Sequence, residues 1–156
     1  MIRRENSLVF KENKNLNAKW RLKLEKIMTV IKLPAFRFFL HNGYVNEFIK
    51  GTDLWGENMD GKEPLDLKLS PKQREAVIKV FRDIVYAGIK TGYTLADFTR
   101  KNVMVEGNKA YLVDYQVIIE GDLNKDYIRI FQTMLDYLQI SYKFDGDLKK
   151  LYERLN

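Results

Sequence analysis

Tyr93-Thr94-Leu95-Ala96-Asp97-Phe98-Thr99-Arg100-Lys101-Asn102-Val103-Met104-Val105-Glu106-Gly107-Asn108-Lys109-Ala110-Tyr111-Leu112-Val113-Asp114-Tyr115 is the stretch on which the fold turns. It places Asp97, Asn102 and Asp114 in a telling order. An Asp is followed five residues later by an Asn, then by two short apolar runs around Glu106-Gly107-Asn108 that end in a second Asp. That order sets a candidate base and two oxygen ligands for Mg²⁺ at the mouth of one cleft, the arrangement phosphoryl transfer uses. Any one of these residues alone is an ordinary cap or turn former. The succession of a helix closing at Gly92, a polar loop, strand, turn and strand is what points to an ATP-handling site.

Length and composition set the bounds. A chain of 156 residues reads as a single domain, and 46% hydrophobic with 13% aromatic residues is enough to build a core. Zero cysteines exclude disulfides and thiolate metal sites, and the one histidine, His41, excludes a His-based zinc site or a Ser-His triad within the chain. The catalytic repertoire is therefore carboxylates, amides, lysines and hydroxyls. There is no run of 18 apolar residues and no signal-peptide core at the start, so a cytoplasmic protein with no membrane partner is expected. The net charge of +6 is uneven: residues 1–50 hold 11 Lys or Arg against 4 acids, whereas residues 51–156 hold 16 against 17.

Local signals fill in the layout. Ser7 to Lys11 has the β-branched and aromatic content of a strand, and Asn17 is a plausible N-cap. Trp20, Leu24, Ile27 and Ile31 then recur at helical spacing until Pro34. Phe36–Leu40 and Tyr44–Ile49 flank His41-Asn42-Gly43, which predicts a hairpin with Asn-Gly at positive φ. Residues 51–68, rich in Gly, Asp, Asn and Pro, read as an irregular connector with room for a short helical turn at its start. Ser70-Pro71-Lys72-Gln73 opens a helix that Gly92 ends, and two further amphipathic helices run through Tyr127–Leu138 and Leu148–Leu155.

The expected class is α+β. Ala96 to Asn102 resembles the catalytic loop of the protein-kinase-like superfamily, and Leu112-Val113-Asp114-Tyr115-Gln116 resembles the strand that ends in its Asp-Phe-Gly metal motif. Tyr44 to Gly51 is similar to the family's fifth strand and hinge. The resemblance covers roughly residues 7–140. It implies a small truncated antiparallel-sheet N-lobe with one helix (about 1–50), a hinge and connector (51–69) and a reduced, mostly helical C-lobe (70–156).

Carried over to this chain, the resemblance makes Asp97 the residue that orients or deprotonates the acceptor hydroxyl. Asn102 and Asp114 become ligands of Mg²⁺ on the ATP phosphates. Lys11 would pair those phosphates, with Glu25 as its partner on the following helix and Glu12 as a rival. Glu47 and Ile49 would present hinge backbone to the adenine, and Asp53 would reach the ribose, whereas Trp55 is read as packing the connector. The implied activity is transfer of the γ-phosphate to a hydroxyl, with a Ser/Thr protein as acceptor.

Departures from the pattern are visible. The ten residues before Lys11 contain no glycine, so no Gly-rich phosphate lid is expected. Leu95 and Ala96 stand where the family has His and Arg, and Gln116 stands where it has Gly. The 42 residues after Asp114 are too few for an ordinary protein-substrate platform. A catalytically inactive, kinase-shaped interaction module is therefore the alternative. A third class follows from Arg3, Arg4, Lys11, Lys14, Lys19, Arg21, Lys23, Lys26, Lys32 and Arg37, which suit an acidic protein surface or a nucleic-acid backbone. Lys19, Arg21, Lys23 and Lys26 share a helix with a core-facing stripe, which ranks nucleic acid last.

Overall fold

The computed structural model describes residues 2–5, 7–55 and 68–156; the middle of the predicted connector, 56–67, lies outside the described residues. The fold is mixed α+β with antiparallel sheets and, among the described residues, four α-helices. A four-stranded sheet has the order β1 (Ile2–Glu5), β2 (Leu8–Glu12), β4 (Gly43–Glu47), β3 (Phe36–Leu40). Strand β1, ahead of the predicted β2, pairs Ile2 with Lys11 and Glu5 with Leu8.

The hairpin between β3 and β4 forms, but its turn differs from the expected one. Leu40 pairs with Gly43, so His41 and Asn42 make the two-residue loop, and neither Asn42 nor Gly43 has a positive φ. Gly43 is needed for another reason: a Cβ there would lie 1.9 Å from the Lys11 carbonyl oxygen, so only glycine lets β2 approach β4 at this point.

Helix α1 (Ala18–Met28) starts where Asn17 accepts from the Trp20 amide, and it buries Trp20, Leu24 and Ile27. It ends six residues before Pro34. The Thr29 and Val30 amides donate to the Lys26 and Ile27 carbonyls and tighten the last turn. Helix α2 (Pro71–Thr91) has the predicted capping box of Ser70 and Gln73, and it closes on Gly92 in the left-handed region at φ 76°. Helices α3 (Lys125–Tyr137) and α4 (Leu148–Leu155) complete the set, capped by Asn124 and Asp147.

Two small sheets hold the polar loop from both ends. β6 (Tyr93–Leu95) pairs with β9 (Ile118–Glu120), and the Ala96 amide extends the ladder by donating to Val117. β7 (Val103–Glu106) and β8 (Lys109–Leu112) form the second expected hairpin, turning at Gly107. The start of the connector is not helical, because Thr52–Asp53 forms β5 and pairs with Val105 and Met104. The buried cluster runs from Trp20, Leu24 and Tyr44 through Phe81, Phe98 and Val103 to Phe131 and Leu135. One core thus backs both the sheet that carries Lys11 and the loop that carries Asp97.

Candidate functional site

The β7–β8 register brings the polar residues together. Val103 opposes Leu112, and one step further the Val113 amide donates to the Asn102 carbonyl at 3.0 Å. Asp114 therefore leaves the hairpin beside Asn102. The β6–β9 ladder, which fixes Ala96 against Val117, holds Asp97 close to the same exit.

Asn102 Nδ2 donates to the Asp97 backbone carbonyl at 2.9 Å and to Asp97 Oδ2 at 3.1 Å. One amide thus folds the loop back on itself and orients the carboxylate. Burial, with the charge of Asp114 adding to it, raises the Asp97 carboxyl above the ordinary carboxylate range, and the Asn102 bond partly offsets the rise. A carboxyl moved in that direction is a better proton acceptor once ionised.

Lys11 enters from the four-stranded sheet. Its Nζ lies 3.6 Å from Asp114 Oδ2 and donates to the Val113 carbonyl at 3.3 Å. Asp114 Oδ1 accepts from the Gln116 amide at 3.0 Å, so the carboxylate is held at both oxygens. Lys11, Asp97, Asn102 and Asp114 are thereby gathered in one place, although 86 residues separate the first two in sequence.

The other predicted residues stand apart. Glu25 does not meet Lys11: its Oε1 accepts from Arg21 Nε at 2.8 Å, one turn back on an exposed face of α1. The partner of Lys11 is Asp114, because the core-facing stripe of α1 turns Trp20 and Leu24 inward and leaves Glu25 outside. Glu12 lies 3.5 Å from Arg3 across the sheet. Glu47 pairs with Arg37, and its amide donates to Ala35, so that donor is spent within the sheet. Ile49 is buried just beyond β4. Asp53 is buried and accepts from the Trp55 amide at 2.9 Å, which makes it a turn-forming residue beside the loop. Trp55 packs as expected, with the Arg100 guanidinium 3.8 Å above its ring.

Several residues beneath the site carried no sequence signal for their role. Trp20 Nε1 donates to the Tyr115 carbonyl at 2.8 Å in the core, and the Tyr115 amide donates to the Tyr44 hydroxyl at 3.3 Å. Trp20 stacks on Tyr44 with centroids 5.7 Å apart, and Tyr44 lies tilted at 44° against Tyr115 with centroids 4.9 Å apart. Burial pushes both phenols well up, and the Tyr115 hydroxyl donates to the Leu112 carbonyl at 3.0 Å. Asn46 Nδ2 donates to Val113 at 3.0 Å, the carbonyl Lys11 also uses, while its buried Oδ1 has no partner. This layer fixes the backbone on either side of Asp114.

Among the described residues no group of three or more His, Asp or Glu side chains is arranged to hold a metal alone. The donor set nevertheless fits Mg²⁺ carried on a nucleotide, which keeps its waters and phosphates and needs only one or two protein carboxylates or amides. Asp114 and the Asn102 side-chain oxygen Oδ1 would supply that number. No helix of the described residues is long and apolar enough to cross a membrane. The chain matches no protein-family model, and no curated protein matches it.

Proposed function

We propose that this chain is a minimal protein-kinase-like phosphotransferase that moves the γ-phosphate of ATP to a hydroxyl on a protein. The supporting observation is the convergence of Lys11 on Asp114 at 3.6 Å with Asn102 bonded to Asp97, groups drawn from two separate sheets and a loop. In this reading the sheet of β1 to β4 with α1 is a reduced N-lobe and α2 onward a reduced C-lobe.

Each residue then has a defined task. Lys11 is placed to bind phosphate oxygens, exchanging its contact with Asp114 for the nucleotide. Asp114 and Asn102 would hold Mg²⁺, which when bound neutralises phosphate charge. Asp97 orients the acceptor hydroxyl and takes its proton as the new oxygen–phosphorus bond forms and the bond to the β–γ bridging oxygen breaks, releasing ADP. Holding donor and acceptor in line supplies most of the acceleration.

One observation favours a second reading, a kinase-shaped binding module without transfer. Lys11 and Asp114 neutralise each other, and Glu25, which would draw Lys11 away, is committed to Arg21. Incubation with Mg²⁺ and γ-labelled ATP separates the two readings. Transfer to the chain itself that falls about 10²-fold or more in Asp97→Asn supports catalysis. Equal, background labelling of both proteins supports the module.

A further inference from the structure

The loop that carries Asp97 has a second side. Phe98, Thr99, Arg100 and Lys101 line a groove of about 330 Å³ closed by Trp55 and by Arg129, Ile130, Thr133 and Met134. Its body is apolar and its polar character is cationic. Arg100, Lys101 and Arg129 contribute three positive charges, and no acid stands among the described lining residues. This is not a product of composition, since residues 51–156 hold more acids than bases, 17 against 16. A cationic cluster in a stretch whose acids and bases nearly balance needs a reason.

One of these charges, that of Arg100, is set in place by its surroundings. The Arg100 guanidinium lies 3.8 Å over the Trp55 ring and 5.1 Å from that of Tyr137, so its planar head is held in a fixed pose. Arg129 is exposed, and its guanidinium reaches Asp126 at 4.0 Å on the same face of α3. Lys101 is exposed at the rim. The groove is also near the reacting end. Four residues separate Asp97 from Lys101, at most about 14 Å of extended chain, and the Asn102 bond to the Asp97 carbonyl shortens that span.

We infer that this groove is an acceptor subsite for an acidic peptide segment, one that carries Asp, Glu or phosphoserine a few residues from the hydroxyl that Asp97 addresses. Charge complementarity selects the segment, and the half-buried Trp55 and Ile130 receive its neighbouring side chain. The inference rests on the phosphotransfer reading for the fate of the bound segment, while the binding itself needs no nucleotide.

The test is therefore made without ATP. A fluorescein-labelled peptide with serine flanked by Asp and Glu, and the same peptide with Lys at those positions, are titrated with the full chain and followed by anisotropy. The acidic peptide should bind at least about tenfold more tightly at low salt, and Lys101→Glu with Arg129→Glu should remove that preference. A second variant, Lys101→Gln with Arg129→Gln, keeps the test valid if charge reversal disturbs folding, and should give a smaller loss in the same direction. Equal binding of both peptides, or an acidic preference that survives both variants, overturns the inference. Either result leaves Mg-ATP binding, measured separately, to decide the phosphotransfer reading.

Discussion

Lys11 Nζ stands 3.6 Å from Asp114 Oδ2 and ties the second strand of one sheet to the end of a hairpin in another. Both side chains are mostly buried, at 13% and 18% exposure. Removing the cation leaves Asp114 beside Asp97 with no counter-charge. Lys11→Met should therefore lower stability by about 1–3 kcal/mol in urea unfolding at neutral pH, the cost of a stranded polar partner. It should also abolish binding of Mg-ATP. A variant as stable as wild type would show that the pair carries no weight in the fold.

Asp97 gives a prediction of the opposite sign. Burial and the Asp114 charge raise its carboxyl, so the folded chain holds that proton more tightly than the unfolded chain does. The contribution to stability is complete below the unfolded value of about 3.9 and is lost as pH rises through the raised folded value. At neutral pH the ionised carboxylate is thus a burden on the fold. Asp97→Asn keeps an oxygen for Asn102 and should melt at a higher temperature than wild type at pH 7, the difference closing as pH falls toward about 4. A lower melting temperature at pH 7 would mean that the ionised carboxylate is needed for the fold.

Trp20 is predicted to matter for the site although it never touches it. Its indole N–H donates to the Tyr115 carbonyl, one residue beyond Asp114. Trp20→Phe keeps a ring against Tyr44 but strands a buried carbonyl, which should cost about 1–3 kcal/mol. Calorimetry should also show a weaker response to Mg-ATP. If stability falls and nucleotide binding does not, the layer supports the core without positioning Asp114.

What was legible in the sequence was local. Ser70-Pro71 and Gly92 announce α2, Asn17 announces α1, and the interval from Asn102 to Asp114 is set by a hairpin whose two strands and turn are consecutive. The rest depends on contacts distant along the chain. The sequence points Lys11 toward Glu25, whereas the tertiary rotation of α1, which decides which side faces the sheet, turns Glu25 outward and leaves Asp114 beside Lys11. Trp20 reads as part of a helical apolar stripe and Tyr115 as part of the motif around Asp114, because nothing in either one's neighbourhood reports a bond spanning 95 positions. Gly43 invited the positive-φ reading that Asn-Gly turns favour, whereas its real constraint is the approach of Lys11 from another strand.

The basic N-terminal third yields a prediction against nucleic acid. Its cations are largely engaged: Arg21 with Glu25 and Phe39, Arg37 with Glu47, Arg4 over Phe48, and Lys26 over Tyr93. Binding to a generic DNA duplex should be negligible at about 0.15 M salt, where contacts to phosphates weaken steeply. Tight, sequence-independent binding there, lost on changing Lys19, Lys23 and Lys26 to Glu, would move the function to α1.

The most direct measurement is the melting temperature of the full chain with and without millimolar Mg-ATP, for wild type and for Asp114→Asn. A ligand held only by the folded state stabilises it by about 2.7 kcal/mol at a hundred times its Kd, a shift of several degrees for a domain of this size. Wild type should show that shift and should lose it when Mg²⁺ is withheld, and Asp114→Asn should show none despite a native-like circular dichroism spectrum. A folded wild type whose melting temperature does not move would contradict the proposal that Lys11, Asp97, Asn102 and Asp114 form a nucleotide site.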